Sequence, residues 1–308
     1  MILNVTQSDW SNYSHDNANA LRSVGIECED VKEIAHHFGY ASESKILKTN
    51  EILEKIRSAD LVQIMHSDLK MLNLCKIAGQ KRIVVYHTGT YYRKNSKVLN
   101  DAFNPFIEFA LTDQCEFMFL FGKKIKYIAT AVDTDKIVPV NSASFPYTLA
   151  HYPSCSKTKG SETIVRLLTE LHVQYKNNFS FFYSDKKVTH KTQLKRMSDC
   201  DMYIELFAPT QDGYPYGCYG VTAFEAAAMG KIVFTQNIYP NVYKESYKCE
   251  SKFVICNTEL DFTKFVEEYI RMSPEEIVKK QRETMIWLVK NHSYKSTGNK
   301  LKEILGYD

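Results

Sequence analysis

The sequence predicts an α/β protein of two doubly wound domains, each built on a parallel sheet. Three observations carry this. Strand-like apolar runs alternate with helix-like segments along the whole chain, the pattern of parallel strands joined by crossover helices. A stretch bearing proline and serine, about Val138 to Tyr147, divides the alternation into two halves. Third, the stretch YPYGCYGVTAFEAAAMGKIVFT, from Tyr214 to Thr235, reads as a glycine-rich loop, a short helix, a glycine stop and a buried strand. A helix start beside such a loop turns its unpaired N–H groups toward it and makes an anion site.

In chain order, Ile2 to Thr6 is the first buried strand, and a polar loop and a helix over about Asn17–Val24 follow. An amphipathic helix is expected over Ser44–Ser58, with Ile46, Leu47, Ile52, Leu53 and Ile56 inward. ADLVQIMHS is a strand with a polar end, Met71–Ile77 a helix, and KRIVVYHTGTYYR a buried strand that stops in a polar, aromatic loop. FALTD and IKYIATAVD continue the alternation. In the second half LAHYPS, FSFFYS, DMYIELF, KIVFT and KFVIC are strands, and SETIVRLLTELH and HKTQLKRMS are helices. A loop holds Tyr239 and Pro240. Helices follow over Leu260–Met272, from Ser273-Pro274 onward, and over Tyr294–Leu305.

With 308 residues the chain has room for two ordinary domains. A hydrophobic content of 44% excludes disorder, and a net charge of +3 is too small to imply a polyanion partner by itself. Eight cysteines without CxxC pairing suit reduced thiols in a cytoplasmic compartment. MILNVTQSDW is no signal peptide, and no apolar run is long enough for a transmembrane segment. Neither His36-His37 nor the cysteines have metal-ligand spacing.

In the Tyr214–Thr235 stretch, Gly220 or Thr222 can cap a helix running from Ala223 to Met229, with Val221, Phe224 and Ala228 on its inner face and Gly230 as its stop. Glu225 lies just inside, where a carboxylate can accept hydroxyl hydrogen bonds, as from a ribose. HYPSCSKTKGSETIVRLLTEL places Lys157, Lys159 and Gly160 before a helix, an arrangement suited to phosphate. The register of GCYG, VTAFEAAAMG and KIVFT resembles the donor-site motif of retaining glycosyltransferases of the GT-B fold, group 1 or family 4 type. The Pro153-Ser154…Lys159-Gly160 run resembles their phosphate element, and VVYHTGTYYR resembles their strand ending in His-Gly-Ser/Thr followed by Arg. One departure stands out: the family motif has a pair of glutamates, of which Glu225 matches the second while Gly217 occupies the first.

The resemblance implies two Rossmann-like domains whose parallel sheets face a central cleft. It implies an N-terminal acceptor domain over residues 1–143, a donor domain over 144–290, and a helix over 291–308 crossing back to the N-terminal domain. It further implies transfer from a nucleotide diphosphate sugar, UDP-sugar favoured, to a hydroxyl acceptor with retention and no metal. The nucleotide-sugar is a co-substrate and no cofactor is implied. His87, Lys159 and Arg93 become the catalytic candidates. Ser154, Lys157, Lys159, Gly217, Tyr219, Gly220, Val221, Thr222 and Glu225 become the donor-binding set, with Lys159 the first choice for the diphosphate and Lys157 the second. Trp10, Asn12, Tyr13, Tyr91 and Tyr92 form an aromatic and polar acceptor set, able to stack on sugars or on bases, or else belong to the core. Asp133-Thr134-Asp135 resembles the Val-Asp that ends the N-terminal domain and reads as a turn and helix cap, not a metal motif. The acceptor stays open among a glycan, a small molecule and modified DNA. Two alternatives remain: a phage-type DNA glycosyltransferase acting on hydroxymethylated bases, and a non-catalytic module that binds nucleotide or sugar.

Overall fold

A computed structural model describes all residues except His37, Phe121 and Asp308. The described chain forms two compact units, Met1–Asp133 with His292–Asp308, and Thr134–Asn291.

Unit 1 runs β1 (Ile2–Ser8), α1 (Tyr13–Ser23), β2 (Cys28–Ile34), β3 (Lys45–Ile46), α2 (Thr49–Ser58), β4 (Leu61–Met65), α3 (Leu69–Ala78), β5 (Ile83–His87), α4 (Gly89–Phe103), β6 (Phe109–Thr112) and β7 (Ile125–Tyr127). The seven strands pair in the order β3-β2-β1-β4-β5-β6-β7, all parallel. The direction of strand addition reverses between β1 and β4, the position where ligands bind in open parallel sheets. β4 and β5 are buried at every residue, as strands covered on both faces must be, and this explains their continuous apolar runs.

Unit 2 runs β8 (Tyr147–His151), α5 (Ser156–Lys159), α6 (Ser161–Tyr175), β9 (Phe179–Tyr183), α7 (His190–Ser198), β10 (Met202–Ile204), the hairpin β11 (Thr210–Gln211) and β12 (Tyr214–Pro215), α8 (Val221–Ala228), β13 (Ile232–Thr235), α9 (Pro240–Tyr247), β14 (Val254–Ile255), α10 (Glu259–Ile270) and α11 (Pro274–His292). Its parallel sheet has the order β14-β13-β10-β8-β9. Residues after Asp133 already pack here: the Val140 amide donates to the Met229 carbonyl.

Four local expectations change. The helix expected from Ser44 starts only at Thr49, because Lys45 and Ile46 pair with Val31 and Lys32 as an edge strand. The loop expected after His87 is α4, which begins at Gly89. Tyr239-Pro240 opens α9 with proline in its first turn, where a missing N–H costs nothing. Asp133 and Asp135 lie at a turn with no helix after it.

The last helix, α12 (Tyr294–Leu305), belongs to unit 1 and packs along α1. Leu301 and Leu305 are buried, and the Tyr294 hydroxyl donates to Asp16 at 2.6 Å. A Cβ at Gly298 would run into the Ala20 carbonyl, so glycine sets how closely the two helices approach. Replacing Gly298 by valine should therefore cost about 1–3 kcal/mol, the usual range for overpacking. Chemical denaturation measures it, and an unchanged midpoint would show that α12 does not need this contact.

Candidate functional site

The strongest candidate lies in unit 2, at the C-terminal ends of its central strands. Gly220 is the N-cap of α8 and offers no capping side chain, so the first-turn amides of the helix have no side-chain partner from that position. Against the Cα of Gly220, in the space a side chain there would fill, lie the Lys159 ammonium and the Glu205 carboxylate. These two groups form a close ion pair. Glu205 follows β10 and is fully buried, and its second oxygen accepts from the Thr235 hydroxyl at 2.9 Å. Burial opposes charge on Lys159, but the Glu205 carboxylate outweighs it and holds the ammonium above its usual range. Lys159 is therefore charged throughout the physiological range.

One turn into α8, Glu225 is buried. Its Oε1 accepts from Nε2 of His190, the first residue of α7, at 2.6 Å, and His190 is its sole side-chain partner among the described residues. Val221 and Thr222 fill the first turn and are half-buried, and Ser154 is exposed. Lys157 is 86% exposed and 3.7 Å from Asp212. The second choice for a phosphate contact thus sits on the surface, whereas Lys159 faces the helix start.

Two of the donor-set residues point elsewhere. A Cβ at Gly217 would collide with the backbone nitrogen and side chain of Ile238, so this loop cannot carry the first motif glutamate with the present backbone. The Tyr219 side chain lies in the core. Its ring packs edge-on against Phe224, Tyr243 and Phe253, and its hydroxyl bonds Ser251 at 2.9 Å.

Unit 1 corrects more of the expectations. His87 does not face outward: it is fully buried, stacked on Tyr92 with ring centroids 3.9 Å apart, and Nδ1 meets the Ser67 hydroxyl at 2.8 Å. Among the described residues its Nε2 has no hydrogen-bond partner. Burial pushes its pKa down to about 3, so the ring is neutral. Arg93 is also buried, donating to Glu116 at 2.5 Å, so the pair is a structural tie. Tyr92 is buried and donates to Asn100 at 2.8 Å, and Asn12 is buried and donates to the Ser42 carbonyl. Tyr13 is buried with its hydroxyl between Asp113 and Thr130. Of the acceptor set only Trp10 and Tyr91, 54% and 57% exposed, present their rings to solvent. Tyr91 and Tyr92 both lie in α4, where successive side chains are turned by about 100° around the axis, so one reaches the core and its neighbour does not.

The sequence reading missed Glu205, His190 and a cluster at the strand ends of unit 1. There His66, in left-handed backbone, bridges the Thr88 hydroxyl at 2.7 Å and Asp9 at 3.3 Å. A polar residue closing an apolar strand, in DMYIELF and in LVQIMHS, was the available signal for Glu205 and His66. His36 is buried, and His37 lies outside the described residues. Among the described residues no three His, Cys, Asp or Glu side chains gather as metal ligands, and no helix is long and apolar enough to cross a membrane.

Two parallel α/β units, with the last helix returned to the first of them, are the plan of the GT-B fold. Among solved structures the chain is similar to HepE of Anabaena in complex with UDP and glucose, at 12% identity over 99% of each chain, TM-score 0.68. It is similar to an alpha-glucosyltransferase in complex with UDP-glucose and DNA containing an abasic site, at 12% identity over 99% of each chain, TM-score 0.67. It also matches the sucrose-phosphate synthase of Thermosynechococcus elongatus at 10% identity, covering 98% of this chain and 97% of that one, TM-score 0.58. At these identities the likeness is one of fold. No protein-family model and no curated protein sequence matches the chain.

Two outcomes follow from the geometry. Lys159→Ala leaves the Glu205 carboxylate buried without its cation, which should cost about 3–5 kcal/mol of stability. Adding Glu205→Gln should recover a substantial part of it, and additive losses in urea denaturation of the two single variants and the double variant would rule out the coupling. For acid, the buried His87, with its pKa lowered from 6.5 to about 3, stays neutral when the unfolded chain takes up its proton. The stability it contributes is present above pH 6.5 and is lost as pH falls toward 3. His87→Leu should flatten the decline of unfolding free energy between pH 6 and pH 4, a window that lies inside this interval. An unchanged slope there would contradict a neutral native His87.

Proposed function

We propose that the chain is a glycosyltransferase, moving a hexose from a UDP-sugar to a hydroxyl acceptor with retention at the anomeric carbon and without a metal ion. The observation that carries the reading is the pairing of Glu225 with the α8 N-terminus and Lys159 in one place. A carboxylate has about four lone-pair positions, and Glu225 commits one to His190, which leaves acceptors for ribose hydroxyls. Lys159 and the α8 amides are the matching donors for a diphosphate. Solved structures of this fold that hold UDP and UDP-glucose support the choice of nucleotide.

In the reaction the bond from the anomeric carbon to the diphosphate oxygen breaks and one to the acceptor oxygen forms. Negative charge grows on the departing diphosphate. The fixed charge of Lys159 and the helix amides stabilise it without rearranging, which is where protein dipoles act most strongly. Glu205 keeps Lys159 charged and in place before the donor arrives. The acceptor proton leaves with the diphosphate in this scheme, so no pair of glycosidase-like carboxylates is required. Gly217, Val221 and Thr222 contribute backbone, and Ser154 and Lys157 stand at the rim. In unit 1 Trp10 and Tyr91 are the aromatic candidates for acceptor contact.

A second reading makes the acceptor a hydroxymethylated base in DNA. It is favoured by one structural neighbour, an alpha-glucosyltransferase in complex with UDP and a DNA containing an HMU base. Binding to duplex DNA that weakens steeply with salt would select it.

Titration calorimetry tests the donor site. UDP should bind the native chain, and Glu225→Ala should lower its affinity by about 1.5–3 kcal/mol, the range for a hydrogen bond to a charged group. Equal affinity in a folded variant refutes the ribose role. Turnover of UDP-sugar should persist in EDTA. Loss that manganese restores would reopen the Asp133–Asp135 turn.

A further inference from the structure

His190 has no part in the donor-binding set above, yet its side chain bonds the carboxylate of Glu225, the ribose candidate in that set. The Thr189 hydroxyl caps α7 by accepting from the Thr192 amide, which puts His190 at the first helical position. From there the imidazole reaches across to α8 and meets Oε1 of Glu225 at 2.6 Å. Both groups are largely out of solvent, with 22% and 10% of their side chains exposed.

We infer that His190 is a positioning residue for ligand recognition, holding Oε1 of Glu225 so that the carboxylate is already oriented to accept hydrogen bonds from the vicinal diol of a nucleotide ribose. This rests on the reading of Glu225 as the ribose contact. The physical reason is conformational. An unanchored glutamate samples several rotamers, and each binding event would have to freeze it. The hydrogen bond from His190, made in the free protein, removes that cost before the ligand arrives. The strength of the pair is consistent with this: burial works against charge on His190, but the hydrogen bond and negative charge of Glu225 outweigh it, and the pKa is raised.

The arrangement also predicts which part of the ligand feels His190. A positioning effect through Glu225 changes recognition of the diol and leaves the diphosphate contacts at Lys159 alone. Calorimetry with UDP and with 2′,3′-dideoxy-UDP on the full chain separates the two. The native protein should prefer UDP. His190→Ala should weaken UDP roughly tenfold, the scale of one charge-assisted hydrogen bond, with little change for the dideoxy compound. His190→Gln, which keeps an N–H donor, should restore part of the preference, and the exposed Lys191→Ala is the control for helix α7.

If folded His190→Ala keeps the full preference while Glu225→Ala loses it, the inference is overturned and the ribose reading stands. If the native chain shows no preference, the ribose reading falls and the inference with it. A ligand-free measurement tests the pair itself: in nuclear magnetic resonance titrations Glu225→Gln should lower the His190 pKa, and an unmoved value would overturn the inference independently of any nucleotide.

Discussion

The ion pair between Lys159 and Glu205 is the interaction on which the candidate site of unit 2 depends. Three elements bring it together: α5 supplies the lysine, the end of β10 the glutamate, and β13 the Thr235 hydroxyl that holds the second carboxylate oxygen. A buried ion pair is not a strong source of stability, because desolvation offsets most of the attraction. Its consequence is positional. With Glu205 immobile and enclosed, the lysine cannot swing into solvent, and its charge stays beside Gly220 at the start of α8. The absence of a side chain at Gly220 is what makes that approach possible.

Unit 1 uses polar groups in a different way. The ends of its central strands turn inward and satisfy one another. Asp9 accepts from the amides of Ser14 and His15, from the Ser44 hydroxyl and from His66. Tyr13 meets Asp113 and Thr130, and burial raises the Asp113 carboxyl to about 6. Arg93 and Glu116 close a further buried pair. Networks of this kind are costly when broken and rigid when complete. Asp9 and His66 stand at the point where the strand order reverses, and pairings of this kind explain why residues that look like ligand contacts in the sequence are structural in the fold.

The legibility of the chain divides along physical lines. Buried parallel strands are continuous apolar runs, so IVVYH and IVFT could be read directly. Short elements could not. β3 is two residues held only by its pairing to β2, and α4 starts in a run of threonine and tyrosine with no strong helix preference. In the site, Glu225 and Lys159 were readable because each sits in a local motif of glycine, loop and helix. Glu205 and His190 were not, since their partners are 46 and 35 residues away and no local pattern joins them.

By itself, then, the sequence determined the parallel α/β class and a short helix with a glycine start and a glycine stop, because these follow from periodicity and backbone preference over a few residues. Only the tertiary structure decided which way each polar side chain faces. Tyr91 and Tyr92 are neighbours of one type, yet one is exposed and the other fully buried beneath His87. Lys157 and Lys159 share a helical turn, yet only Lys159 meets a buried carboxylate. Such choices depend on what the rest of the fold presents to each side chain, and that information is spread over the whole chain.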